Sequence, residues 1–380
     1  MQMAKRKLGL ITFFILILSF PLFFAILPYV ELSGQNACTR VAEYTMNELD
    51  YSIFTDWGKG ICIQGLLDAY AVTGDEEYLS FAQCWIDQSI RTQTYEGAFG
   101  HGDLAVGDST AIGLSVLDFY NRTGDPKYLE AAVKHLNYLR SPERIWVNGP
   151  PLMGGSSHLA NKAELWIDHL YMVVPFWAQM GVTLGNDTYV DEAIHQIQVH
   201  LQYLQEPITR LVAHIWSESE GYRDPNLWGR GIGWATASIA RTLEIIPNTH
   251  TNYSYLLNTV LSMLASLDDF QDSGGLWHTI VNDSTTYLET SCSTLFAYTI
   301  AKLYHINATW INDGNKTMAL RAFNGVVAKV DQLGVVHWCS GGTGANPYGV
   351  PRAEYAIPWG QGLFLSMYRE FEELNWTGGI

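Results

Sequence analysis

One turn phrase recurs along this 380-residue chain at a spacing that leaves few architectures open. It reads YAVTGDEEYLSFA at 70–82 and YNRTGDPKYLEAA at 120–132, an offset of 50 residues. Looser copies follow as MGVTLGNDTYVDEAI (180–194), IIPNTHTNYSYLLNTV (245–260) and LYHINATWINDG (303–314). A period of this length marks a repeated supersecondary unit. In each copy an apolar segment ends at Gly or Asn, an Asp, Asn or Thr stands ready to cap, and an amphipathic segment begins. Asp125 as N-cap, with Pro126 at the first helical position, is a strong start signal for the second copy.

The segments before the turns, at 57–72, 105–121, 162–181, 229–246 and 287–305, are apolar nearly all round. Those after them alternate faces at helical spacing. In 162–181, Trp166, Ile167, Leu170, Tyr171, Val173, Val174, Phe176 and Trp177 leave no side for solvent. Buried inner helices alternating with half-exposed outer ones describe a closed ring of helical hairpins. With 35–50 as an opening outer helix and 353–374 as a final inner one, the count is six of each. An open solenoid would need polar terminal caps, and the apolar final helix (Ile357, Leu363, Phe364, Leu365, Met367) argues for closure. The expected class is all-α, with 16% charged and 48% hydrophobic residues excluding a disordered polymer.

The N-terminus sets a boundary. Leu8–Val30 is an uncharged run of 23 residues behind Lys5, Arg6 and Lys7, long enough to cross a bilayer with the basic flank left in the cytosol. Residues 1–34 are therefore read as a signal-anchor or signal peptide. Residues 35–380 form the functional domain, outside the cytosol, with membrane contact only through that segment. Seven N-x-[ST] sequons, at Asn121, Asn186, Asn252, Asn282, Asn307, Asn315 and Asn375, agree with a eukaryotic secretory route. Lys5–Lys7 precede the first acid, so the rest of the chain carries a formal charge of −19. Such a body does not hold nucleic acid by counterion release. The five cysteines form no C-x-x-C pair, and their odd number leaves at least one thiol without an intrachain partner.

Polar residues gather where the inner helices should begin: Trp57-Gly58, Asp108-Ser109, Trp166-Ile167-Asp168, Trp228-Gly229-Arg230, Glu289-Thr290 and Trp359-Gly360-Gln361. Parallel inner helices bring these starts to one mouth, an aromatic-lined funnel with carboxylates and an arginine. Asp168, inside an apolar helix, is either a functional acid or a buried Asp bonded to backbone or a Trp N–H. Asp108, in GDSTAIG, is a second carboxylate or an N-cap. Arg230, between Trp228 and Trp234 and flanked by glycines, offers a bidentate fork for a carboxylate, or else makes a salt bridge. His214 and His158 reach the funnel or lie on the surface. No H-E-x-x-H, P-loop, G-x-G-x-x-G or G-x-S-x-G motif occurs, so neither a catalytic metal nor a nucleotide cofactor is expected.

WIDHLYMVVPFWAQMG, LWGRGIGWATASIARTLEIIP, SGGLWHTIVNDSTTYLETSCSTLFAYTIAK and PWGQGLFLSMY together resemble the unsaturated glycuronyl hydrolases, glycoside hydrolase family 105 first and family 88 next. The resemblance spans about residues 40–374 and implies an (α/α)6 barrel. It implies removal of a 4,5-unsaturated uronate from the non-reducing end of lyase-made oligosaccharides by hydration of a vinyl ether. By residue matching, Asp168 protonates C4 and activates water for C5, Asp108 is the second carboxylate, and His214, Arg230, Trp234 and His158 contact substrate; Trp57, at its helix start, is a further expected substrate contact. A carboxylate neighbour within an apolar wall is expected to raise the Asp168 pKa. Two readings from other classes are a silent glycan-binding ectodomain and a sugar epimerase on the same fold.

Overall fold

The computed structural model describes residues 36–48, 57–100, 105–344 and 349–378. Leu8–Val30, and with it the expected anchor or signal, lies outside them. No helix among the described residues is long and apolar enough to cross a membrane.

Outer helix α1 (Ala37–Glu48) comes first. Inner and outer helices then alternate: α2 (Trp57–Thr73) inside, α3 (Glu76–Arg91) outside, then α4 (Val106–Thr110) with α5 (Gly113–Thr123) inside and α6 (Pro126–Leu139) outside. Next come α7 (Asp168–Leu184) and α8 (Asp187–Leu204), α9 (Gly229–Ile245) and α10 (Tyr253–Asp268), α11 (Thr290–Ile306) and α12 (Asp313–Val327), and last the inner α13 (Pro358–Glu373). The inner helices pack each against the next, and α13 returns to α2, closing the ring. Six hairpins and closure agree with the sequence reading, but two inner segments differ: 162–181 becomes helical only from Asp168, after a strand at 164–166. The segment 105–121 is not a single helix but breaks at Ala111-Ile112 between α4 and α5.

The repeated phrase does what its residues dictate. Asp75 and Asp125 accept from Glu77 N (2.9 Å) and Lys127 N (3.0 Å), and Asn186 accepts from Thr188 N at 3.1 Å. The preceding Gly74, Gly124 and Gly185 hold positive φ (71°, 68° and 62°), the left-handed stop that ends an inner helix in two residues. Tyr78 and Tyr128, three residues after each cap Asp, are both 1% exposed and plug the core.

Connections at the other end are long: 140–167, 205–228, 269–289 and 328–357. They carry short antiparallel strands that periodicity did not reveal. β1 (Trp146–Val147) pairs β2 (Gly155–Ser156); β3 (Glu164–Trp166), β4 (Ile215–Ser217) and β5 (Tyr222–Arg223) form one sheet; β6 (Trp277–His278) pairs β7 (Leu288–Glu289); β8 (Cys339–Ser340) pairs β9 (Ala353–Glu354). Two-residue strands carry no periodic signal. Four of the five cysteines are buried, and Cys84 is exposed.

Closure rests on a backbone contact. A Cβ placed on Gly65 of α2 would lie 2.5 Å from the Gly362 carbonyl oxygen of α13. One turn further, Asp68 accepts from Ser366 Oγ (2.6 Å) and Arg369 Nη1 (2.9 Å). Gly65→Ala should therefore lower stability by about 1–3 kcal/mol, the usual range for overpacking a filled interface. Denaturant melts should show that loss, with Gly342→Ala, whose added Cβ meets nothing within 4 Å, left near wild type.

Candidate active site

Every inner helix sends a polar or aromatic side chain to the mouth from its first turn or the residue before it: Trp57, Asp108, Asp168, Arg230, Glu289 and Trp359. Asp168 is the first residue of α7, not an interior one, because Glu164–Trp166 turns aside to form β3. That strand explains how His214 arrives. The pairing sets Trp166 opposite Ile215, and Ile167 N donates to His214 O at 2.9 Å. The His214 side chain then stands beside the start of α7, with Nε2 2.9 Å from Asp168 Oδ2. Both residues are buried, so His214 is not a surface histidine.

The His158 backbone is fixed from two sides, by Val106 N donating to its carbonyl at 2.7 Å and by its own N–H donating to Glu164 O at 3.0 Å. His158 Nε2 lies 3.6 Å from Asp108 Oδ1. Asp108 is the third residue of α4, whose N-cap is Ala105, so the capping alternative does not apply. Trp166 ties the two carboxylate–histidine pairs together. Its ring stacks on His158 (4.9 Å, 14°) and meets His214 edge-on at 5.2 Å.

The expected rise in the Asp168 pKa is not found. Burial raises it, but the His214 charge and hydrogen bond, with His158 and Arg230 beyond, outweigh burial and leave it below the ordinary carboxylate value. Its immediate neighbours are His214, His158 and Arg230, and Asp108 is turned toward His158. The N-terminal position on α7 acts in the same direction. In the free protein Asp168 is a carboxylate.

Arg230 is 1% exposed and sits among four indoles, Trp228, Trp359, Trp57 and Trp234, at 4.4, 5.5, 5.9 and 6.0 Å from its guanidinium carbon. Its fork, read from the sequence as a bidentate site for a carboxylate, is met by backbone. Nη1 donates to Ser340 O and Nη2 to Gly341 O, the latter at 2.8 Å. The salt-bridge alternative fails as well, since its partners are carbonyls. Trp57 stacks on Trp359 (4.4 Å) and meets Trp234 edge-on (6.3 Å). Trp234 is 0% exposed and forms the layer beneath them, so it is not itself an exposed contact surface.

A cleft beside the pair is lined by His214, Asp224, Asn226, Trp228, Ile280 and Gly342. Asp224, its carboxyl pushed up by burial, was missed because its Asp-Pro-Asn context reads as a turn, and Asp224 Oδ1 does accept from Asn226 N at 2.9 Å. Trp166, Trp228 and Ser340 carried a signal only as aromatics or as nothing. Gln361 proved structural, tying Val336 N (2.7 Å) and Gly334 O (2.8 Å). Among the described residues, His305, Glu370 and Glu373 bring ligand atoms within 4.8 Å of one another, but at the far ends of α11 and α13, where Lys302 and Arg369 occupy the carboxylates.

A family model described as Glycosyl Hydrolase Family 88 matches residues 31–375. The chain is 28% identical over 324 residues to the unsaturated rhamnogalacturonyl hydrolase YesR of Bacillus subtilis, covering 82% of this chain and 88% of that one. It is 24% identical to an unsaturated 3S-rhamnoglycuronyl hydrolase of Formosa agariphila, over 67% of each. A possible member of the GH105 family from Salmonella enterica serovar Paratyphi A superposes with a TM-score of 0.78 at 25% identity, covering 91% and 94% of the two chains.

With the His214 imidazole removed from the pair, burial of Asp168 acts with less opposition. His214→Phe should therefore titrate Asp168 at higher pH than wild type, read by carboxyl carbon NMR of labelled aspartate. An unchanged titration would separate the two residues.

Proposed function

The chain belongs to glycosyl hydrolase family 88, and from that premise we propose that it removes the 4,5-unsaturated uronate from the non-reducing end of lyase-generated oligosaccharides. The observation that carries the reading is the buried Asp168–His214 pair at the mouth of the barrel, reached by a second carboxylate–histidine pair through Trp166. An (α/α)6 barrel supplies the frame.

Asp168 delivers a proton to C4 of the vinyl ether and receives one from the water whose hydroxyl adds at C5, so the acid is regenerated in each turnover. The C5 hemiketal opens, and C1 releases the neighbouring sugar. A proton on Asp168 is needed before the first step, while the free site holds a carboxylate. The substrate resolves this. A bound uronate carboxylate adds negative charge beside Asp168 and offsets the field of Arg230, His158 and His214, which favours protonation. The general acid thus forms on binding. Asp108 and His158 orient the water, and Trp57 with Trp359 supplies an aromatic rim for a sugar face. The reaction uses these side chains alone, with no cofactor assigned a step. The names of the relatives make a rhamnose next to the uronate the first substrate to test.

The catalytic domain is proposed to lie outside the cytosol. None of the seven sequon asparagines is buried, and Asn186 and Asn307 sit at helix starts facing the surface. Endoglycosidase treatment of material from a eukaryotic host should lower its apparent mass. An unchanged mass would make the sequons coincidental.

Asp168→Asn keeps shape while losing the transferable proton. General acid–base catalysis contributes about 10²–10⁴-fold, so kcat should fall by that range with KM little changed. Loss of the enol absorbance of an unsaturated disaccharide is the assay. Retention of more than about a tenth of wild-type kcat would move the acid role to Asp108.

A further inference from the structure

The β8–β9 ribbon ends on two exposed aromatic residues. Its register pairs Ser340 with Ala353 and Cys339 with Glu354. The next residue on each strand is Trp338, 51% exposed, and Tyr355, 71% exposed. The chain leaves the ladder there through left-handed backbone, with Trp338 at φ 62° and Ala356 at φ 56°. A bulky side chain in that region is an outlier. Burial is the usual compensation, and half of this indole lies in solvent. Strain held without burial points to a use for the side chain.

Two further rings join them. Tyr287 lies 6.4 Å from Trp338 at 44°, and His337 lies 5.9 Å from Tyr355 at 32°. His337 Nε2 is 2.8 Å from Asp331 Oδ2, which holds the imidazole in place. The Trp338 carbonyl accepts from Thr290 N at 2.9 Å, and Thr290 is the first residue of α11, so this group stands at the mouth end of the barrel. The ribbon also reaches the cleft. Gly342 and Thr343 follow β8, Val350 and Pro351 precede β9, and all four line the cleft that His214 lines. A single exposed aromatic is ordinary, but several side by side mark a binding surface.

We propose that Trp338, Tyr355, Tyr287 and His337 form a platform on which a sugar ring of a longer oligosaccharide stacks, beyond the units held in the cleft. This rests on the hydrolase reading above. In that reaction only the terminal uronate reaches Asp168, so the rest of the saccharide leaves over the rim. Aromatic faces suit that remainder, because they pack against the C–H face of a sugar without using charge. An acidic protein of formal charge −16 can thus hold an acidic saccharide outside its cationic site.

The test sets a lyase-made rhamnogalacturonan hexasaccharide against the disaccharide, with the full chain. Trp338→Asn and Tyr355→Ala should each raise the hexasaccharide KM about three- to tenfold with kcat kept, and leave the disaccharide KM within about twofold. Asn is chosen because it tolerates left-handed backbone. Equal changes for both lengths, or none for either, overturn the platform. Both variants should melt within about 4 °C of wild type, and a larger fall in both would make the rings packing residues and overturn it as well. A wild-type dimer in light scattering that Trp338→Asn dissociates would assign the rings to a second copy of the chain and overturn the sugar assignment. A wild type that leaves every unsaturated saccharide intact would defeat the hydrolase reading instead. Calorimetry would then judge the platform alone: hexasaccharide binding lost in Trp338→Asn supports it, and binding that is absent or unchanged overturns it.

Discussion

Where α2 and α13 meet, the backbones are so close that a single methyl group on Gly65 would fall 2.5 Å from the Gly362 carbonyl. A ring of six hairpins has this one seam between the first and last inner helices of the chain, and the mouth exists only if the seam is tight. Trp57 and Trp359 open the two helices that meet there, and their stacking at 4.4 Å is possible because those helices approach so closely. The Asp68–Ser366–Arg369 bonds lock the same seam toward the other end. Closure and the aromatic rim of the site are thus consequences of one contact.

The barrel's two ends differ because its connections differ. Short turns join the hairpins at one end, where Asp68, Arg241, Glu244, Lys302 and Arg369 line a pocket, while the long connections at the other fold into small strands that aim side chains inward. All inner helices start at that end, so their N-terminal partial charges collect around it. Arg230, His158 and His214 add to them, giving an acidic protein of formal charge −16 a local environment that tolerates an anionic sugar. At the opposite end Lys302 is shared by Glu244 and Glu370, and charge there is spent on structure.

Arg230 illustrates why a residue's type does not settle its role. A guanidinium flanked by glycines and tryptophans invites a bidentate carboxylate, yet the nearest acceptors that the fold supplies are two carbonyls on β8 and just beyond it, over a hundred residues away in sequence. Asp168 makes the same point in reverse. Burial alone raises its pKa, and the partner that reverses the direction is brought by β-pairing between 164–166 and 215–217.

The hairpin count, the caps at Asp75, Asp125 and Asn186, the buried character of the inner helices and the gathering of Asp108, Asp168, Arg230 and Trp57 at helix starts were legible in the sequence. Each is set by local chemistry or by a helical period that repeats every few residues. The break between α4 and α5, the two-residue strands, the proximity of His214 to Asp168 and of His158 to Asp108, and the Ser340 and Gly341 carbonyls that meet Arg230 were decided only by tertiary structure. Each depends on pairing between segments whose separation in the chain carries no periodic mark, and on which acceptors a buried charge finds once the ring has closed.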